Sequence, residues 1–176
     1  MRRHAQRGLL GLVALLAVPA LQAQKPVELG IDGGFQFELN DPKTTSFHLP
    51  TGLFRVGFFA SDRISVEPSV AFNWVKVSGD DAATTLQARL GLLYHFGTDA
   101  ARSRVFVEPI AGITYVNFGS GSASQFQLGG GIGVKLPSPN RLGLRLQALY
   151  AHGFETDDFS KTDVIAFLFG ISFYTK

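Results

Sequence analysis

The sequence predicts an all-β fold, an eight-stranded antiparallel up-and-down transmembrane β-barrel preceded by a signal peptide. Three observations predict it. Beyond residue 24, apolar and polar residues alternate with period two over stretches of about 11 residues, which is the repeat of a strand. No segment there shows the 3.6-residue period of a helix. The polar face of the alternation is rich in glycine, and the apolar face ends in aromatic residues.

At the start of the chain, Arg2, Arg3 and Arg7 precede an apolar run from Leu9 to about Leu21, followed by Gln22, Ala23 and Gln24. That is the charged, apolar, small-residue order of a secretory signal. The run falls short of the roughly 20 apolar residues a spanning helix needs, so an uncleaved anchor is the minor alternative. Cleavage is placed after Ala23, with Ala20 the competing position. Residues 1–23 are thus read as signal peptide and 24–176 as one barrel domain.

The first strand, Val27 to Leu39, sets Val27, Leu29, Ile31, Gly33, Phe35 and Phe37 against Glu28, Gly30, Asp32, Gly34, Gln36 and Glu38. The second is read from about Thr51 to Ala60. Between Phe47 and Leu53 the alternation blurs around Pro50 and Gly52, where a bulge or change of register is expected. In the third, Ile64 to Val77, Ser65, Glu67, Ser69, Ala71 and Asn73 oppose Ile64, Val66, Pro68, Val70, Phe72 and Trp74. The fourth, Thr84 to Phe96, places Gln87, Arg89, Gly91 and His95 opposite Leu86, Ala88, Leu90, Leu92, Tyr94 and Phe96. The fifth runs from Val105 to Phe118 and the sixth from Gln125 to Leu136, where Phe126, Leu128, Gly130, Ile132 and Val134 share a face. Leu142 to Gly153 and Asp163 to Tyr174 complete an even count of eight.

The connections fall into two sets. Ser61 to Arg63, Gly97 to Arg104 and Pro137 to Arg141 lie at one end, and Asn40 to Ser46, Ser78 to Ala83, Gly119 to Ser124 and Phe154 to Thr162 at the other. ISVEPSVAFNWV from Ile64 returns as VFVEPIAGITYV from Val105, 41 residues on, so one hairpin unit is repeated. Within it, Pro68 and Pro109 lack the N–H that a closed ladder uses, and local bulges are expected there.

Alternation alone permits a soluble barrel with the apolar face inside, holding an apolar ligand, or a membrane barrel with that face toward lipid. Three features favour the membrane. Gly30, Gly34, Gly57, Gly91, Gly112, Gly129, Gly131, Gly133 and Gly143 lie on the polar face, suiting a narrow lumen better than a solvated sheet surface. Phe37, Trp74, Tyr115, Phe126 and Tyr150 mark one rim of the apolar face and Phe58, Tyr94, Phe96 and Phe173 the other, the arrangement of paired aromatic girdles. The strands also match the roughly 9–11 residues of a tilted membrane strand and exceed the soluble average of about 5–6.

Composition removes other classes. The 16 basic residues exceed the 14 acidic ones only through Arg2, Arg3 and Arg7, so the rest lacks the basic footprint of a nucleic-acid binder. With no cysteine there is no disulfide framework, thiolate metal site or cysteine nucleophile. His48 and His95 show no metal-ligand spacing with a third ligand, and no cofactor is expected.

The inward register collects Asp32, Arg55, Glu67, Arg89, Glu108, Lys135 and Arg145, three acids against four bases. Unpaired charges in a lumen just wide enough for side chains are costly. A salt-bridged plug is therefore expected, centred on Arg55, Glu67, Arg89, Glu108 and Arg145. A narrow selectivity filter is the alternative, although open channels generally need about 16 strands or more.

The Val66-Glu67-Pro68 and Val107-Glu108-Pro109 strand starts carry a family resemblance. So do the glycine-rich segment Leu128 to Val134 and the alternating Ile165, Phe167, Phe169, Ile171 and Phe173. The chain resembles the small eight-stranded outer-membrane proteins of Gram-negative bacteria, the OmpA transmembrane domain and OmpX-like group of porin-family outer membrane β-barrel domains. The resemblance implies residence in the outer membrane with both termini in the periplasm, contact with outer-membrane lipids and lipopolysaccharide, and delivery by the outer-membrane assembly machinery. The family usually ends on an aromatic that this machinery reads; here Thr175 and Lys176 follow Phe173 and Tyr174.

Some barrels of this kind deacylate or acylate lipid A with a histidine, a serine and an acid near the rim. His152 lies on the outward face, but Phe154 stands where a His-x-Ser pattern needs its nucleophile, and Ser160 with Asp157 or Asp158 is a poor substitute. An enzyme is not expected. The external segments are short and lightly charged, with Asp80, Asp81, Glu155, Asp157, Asp158 and Lys161, which favours an envelope-maintenance role over adhesion.

Overall fold

The computed structural model describes residues 25–40, 45–75, 83–97, 103–117, 121–138 and 140–175, with the backbone alone at 45–52 and 75. Residues 1–23, read from the sequence as a signal peptide, and the loop acids Asp80 and Asp81 lie outside the described residues. The described residues form eight strands: β1 Val27–Glu38, β2 Thr45–Phe59, β3 Ile64–Val75, β4 Ala83–Phe96, β5 Arg104–Asn117, β6 Ser122–Pro137, β7 Leu142–Gly153 and β8 Thr162–Tyr174. Each pairs antiparallel with its chain neighbours, and β8 pairs with β1 to close the barrel. Closure leaves no sheet edge open to lipid, where an unpaired backbone group would be costly. The seam is fastened by Thr175, whose N–H donates to the Val27 carbonyl at 3.0 Å while its Oγ1 accepts from Val27 N.

The second strand is longer than its alternation suggests. It begins at Thr45, and its pairing with β1 jumps from Asp32–Leu53 to Gly34–His48, so a step of two residues along β1 spans a step of five along β2. The irregularity spans Pro50 and Gly52, where the pattern blurs. At Pro68 and Pro109 the expected bulges do not occur. The β2–β3 register runs Arg55–Ser69 to Phe58–Val66 without a shift, and β4–β5 runs Gly91–Ile110 to Tyr94–Val107 likewise. Each proline interrupts the pairing on one side only, while β3–β4 and β5–β6 continue unbroken past it. A missing N–H is thus absorbed as a gap in one ladder and not as an inserted residue.

The faces settle the orientation of the sheet. In β1, Glu28, Gly30, Asp32 and Gly34 are buried, whereas Leu29, Ile31, Phe35 and Phe37 are exposed. The same sorting holds in β7, where Gly143, Arg145, Gln147 and Leu149 point inward and Leu142, Leu144, Leu146 and Tyr150 outward. A soluble barrel would be sorted the other way round. The outer surface is a continuous apolar band of the kind that marks a membrane-facing surface. Trp74, Tyr94, Phe96, Tyr115, Tyr150 and Phe173 all stand exposed near strand ends. Phenylalanine also fills the middle of the band, at Phe35, Phe54, Phe167 and Phe169, so only the amphipathic aromatics Trp and Tyr concentrate toward the rims.

Candidate functional site: an ion-paired lumen

The glycines of the inward face make room for charge. Register sets Gly30 beside Arg55, Gly91 beside Glu67, Gly112 beside Arg89, Gly131 beside Glu108, and Gly170 between Asp32 and Arg145. A Cβ added at Gly91 would fall on the Glu108 carboxylate, one at Gly170 on Asp32, and one at Gly30 on the Arg55 guanidinium. Long ionic side chains can therefore lie flat across the lumen.

The structure brings four of the five core candidates into one network. Arg55 Nε donates to Asp32 Oδ2 at 2.8 Å and its Nη2 to Ser172 Oγ at 2.6 Å, while its Nη1 pairs with Glu28 and stands 3.7 Å from Glu67. Lys135 Nζ bridges Glu28 at 2.6 Å and Glu67. Arg145 then pairs with Glu67 through Nη1 and with Glu108 through Nη2, the latter at 2.8 Å. Gln147 closes this end, accepting from Arg145 at 2.8 Å and donating to Glu108. All these charged side chains are buried. At such depth the Coulomb gain offsets desolvation only because nearly every lone pair and proton is matched.

Arg89 is placed differently. It lies beside the network with its Nε buried and without a hydrogen-bond partner among the described residues. The other addition is Glu28, fully buried and joined to both Arg55 and Lys135. Its inward register is legible in the sequence; its nearness to the strand start conceals its depth. With Glu28 the directly paired groups are four acids and three bases, and Arg89 supplies the fourth positive charge.

Beneath the ions sits an aromatic floor that the alternation does not announce. Phe59, Leu93, His95 and Phe106 are buried on the inward face of β2, β4 and β5. The His95 ring stacks on Phe59 at 5.6 Å and lies 6.0 Å from Phe106. Arg145 stands 4.6 Å above the Phe106 ring and Lys135 5.7 Å above that of Phe59, so the floor also stabilises the cations above it. His95 Nε2 meets Ser65 Oγ at 3.0 Å. Among the described residues no group of three His, Asp or Glu is arranged to hold a metal ion. His48 lies where only the backbone is described.

At the opposite rim, on the outside of the barrel, His152 has a partner that the sequence reading did not identify. His152 Nδ1 is 2.8 Å from Asp163 Oδ1, directly across the β7–β8 register, and Tyr150 donates to the same oxygen at 2.6 Å. Asn40 Nδ2 donates to the second oxygen at 3.3 Å, tying in the end of β1. Asp157 and Asp158 are exposed turn residues, so the acid facing His152 is Asp163. Thr162 Oγ1 bonds inward to Gln125 at 3.1 Å, and Phe154 packs edge-on against the His152 ring at 4.9 Å. The cluster thus places an imidazole against a carboxylate, with a phenyl ring at the position a nucleophile would occupy.

A closed eight-stranded barrel, apolar outside and ion-paired within, belongs to the class of small membrane-spanning barrels. The sequence matches the family described as outer membrane protein beta-barrel domain over residues 8–173, and the chain belongs to that family. Among solved structures it is similar to Neisserial surface protein A, with a TM-score of 0.62 and 12% identity over 84% of this chain and 96% of that one. The N-terminal barrel domain of Pseudomonas aeruginosa OprF gives 0.51 and 17% over 86% and 98%. The attachment invasion locus protein Ail of Yersinia pestis gives 0.50 and 14% over 85% and 98%. At these identities the likeness is one of fold. No curated protein sequence matches the chain.

Proposed function

We propose that this chain is an integral outer-membrane barrel with a structural, envelope-maintaining role, its lumen held shut by the ion network. The observation that carries this reading is the unbroken sequence of buried pairs from Asp32 through Arg55, Glu28, Lys135, Glu67 and Arg145 to Glu108. Those pairs cross the lumen, and the cavity among them is about 20 Å3, room for a single water molecule. A narrow porin-like channel would need a continuous wet path. The apolar band faces outer-membrane lipid, with Trp74, Tyr115 and Tyr150 at one headgroup level and Tyr94, Phe96 and Phe173 at the other, against lipopolysaccharide on the outer side. Both termini lie in the periplasm, at the end of the barrel where Val27 and Thr175 meet. Residues 1–23 are removed on export, and the assembly machinery inserts the rest.

The test joins cell fractionation with planar-bilayer recording. The protein is expected in the outer-membrane fraction, with heat-modifiable migration on detergent gels and no steady large conductance. Recovery from the soluble periplasm, or reproducible large ion-selective steps, would overturn the reading.

Lipid A modification is a second reading, favoured by one observation, the His152–Asp163 pair at the rim. The exposed Phe154 beside that ring, with no hydroxyl in its place, weighs for a clasp that joins β7, β8 and the end of β1.

A further inference from the structure

Above the ion network, toward the ends of β1, β3, β5 and β7, the lumen widens into a cup of about 310 Å3. That is within the size of small-ligand sites, roughly 300–1,000 Å3. Its two sides differ in chemistry. Asn73, Thr85, Gln87, Thr114, Gln125 and Gln127 give β3 to β6 a wall of amides and hydroxyls. Across from it, Val164, Ala166 and Leu168 of β8 present an apolar face.

Arg89 forms the floor, lining both this cup and the small cavity inside the network. Its stem lies over Gly112, where a Cβ would stand 3.0 Å from Arg89 Cγ, so the glycine fixes the path of the side chain. Its buried Nε has no acceptor among the described residues. Asp32, which also borders the cup, is already engaged by Arg55 at 2.8 Å, and Glu38 stands near the mouth. Among the described residues the cup therefore offers one cation at the bottom, neutral hydrogen-bonding groups along one side and an apolar surface along the other.

A guanidinium lining a cavity fits a carboxylate or phosphate. An amide wall facing an aliphatic wall fits a ring with hydroxyls at its edge and C–H groups on its face. We propose that the cup binds a monosaccharide-sized solute bearing a single carboxylate or phosphate, the anionic group on Arg89 and the ring between the Gln87–Gln127 wall and β8. Glu38 at the mouth disfavours a second negative charge, so the ligand carries its charge at one end. Binding requires no passage through the barrel and is independent of the envelope role.

The experiment uses the full chain in lipid nanodiscs with 15N-labelled arginine, reading the Nε–Hε signal of Arg89, assigned by its loss in Arg89→Gln. Glucuronate and glucose 6-phosphate are titrated as the carboxylate and phosphate probes, with glucose, acetate and inorganic phosphate as controls. At least one sugar acid is expected to move the Arg89 signal saturably, at concentrations tenfold or more below those needed for any control. Isothermal titration should show the affinity falling at least tenfold in Arg89→Gln and at least threefold in Gln127→Leu, a variant that stands outside the ion network and tests the cup where Arg89→Gln fails to fold. An Arg89 signal unmoved by both sugar acids would overturn the proposal. So would equal responses to the acids and to acetate or inorganic phosphate, which would mean an adventitious ion only, or unchanged affinity in Gln127→Leu.

Discussion

Arg145 and Glu67 stand 78 residues apart in the chain and meet in the middle of the lumen, where Arg145 divides its guanidinium between Glu67 and Glu108. Glu67 in turn takes Lys135 on its other oxygen and has Arg55 at 3.7 Å. Removing its carboxylate leaves three buried cations facing one another. Breaking a buried pair from one side costs roughly 3–5 kcal/mol. Glu67→Ala is expected to lose stability of that order in urea unfolding from lipid, and Asp158→Ala, on an exposed turn, to stay within about 0.5 kcal/mol. Equal stabilities for the two would show a solvated interior. The Glu67→Ala, Arg145→Ala cycle should give a coupling of about 0.5–3 kcal/mol, since the two groups touch.

The second expectation concerns space. Because a methyl group at Gly91 meets the Glu108 carboxylate, Gly91→Ala pushes Glu108 away from Arg145 or displaces the strand. Overpacking of this kind costs roughly 1–3 kcal/mol. Among the described residues nothing lies within 4 Å of the corresponding position at Gly121, so Gly121→Ala should be close to neutral. Thermal unfolding of the two variants in the same detergent decides between them. A neutral Gly91→Ala would mean that the glycine serves the backbone and not its neighbour's charge.

How much of this was legible follows from what a period of two can encode. Alternation fixes which face a residue joins, so the inward placing of Arg55, Glu67, Glu108 and Arg145 could be read directly. It does not encode depth, and Glu28, two positions into β1, is as buried as Glu67. Nor does it weigh a large apolar residue on the polar face: Phe59 and Phe106 break the pattern locally, yet they form the floor on which Lys135 and Arg145 rest. Cross-strand partners depend on register, which shear and turn length set jointly. Asp163 was hidden as the partner of His152 for that reason, although the residues are only 11 apart. The prolines show the converse. Pro68 and Pro109 are conspicuous in sequence, yet the closed ladder absorbs each by losing pairing on one side while its register holds.

The rim cluster makes a clear-cut expectation. If Asp163 serves to hold Tyr150, His152 and Asn40 together at the end of the barrel, His152→Ala should leave lipid A chemically unchanged while loosening the β7–β8 end. Mass spectrometry of lipid A from cells with the wild-type chain, with His152→Ala and without the protein should give one set of acyl patterns. An acyl chain lost or gained only when His152 is intact would assign the imidazole a catalytic role with Asp163 as its orienting acid. Amide exchange near Tyr150 and Asp163 reads the structural half of the prediction.

The chain has a single tryptophan, Trp74, which is exposed on the outward face near the end of β3. An indole at that height in a membrane barrel belongs at the headgroup level, its ring against the acyl chains and its N–H toward water. In vesicles of brominated phospholipids its fluorescence should be quenched most by bromine close to the glycerol backbone and least by bromine near the chain ends. Ile132, on the same outer surface but midway along β6, should tolerate charge poorly: Ile132→Arg is expected to cost about 2–4 kcal/mol in lipid, as for a basic residue near the midplane. Trp74→Arg should cost less, because near the interface the penalty falls to about 0–1 kcal/mol plus the lost ring contacts. Maximal quenching from the chain ends, or equal costs at the two positions, would move the membrane boundary away from the Trp74 rim.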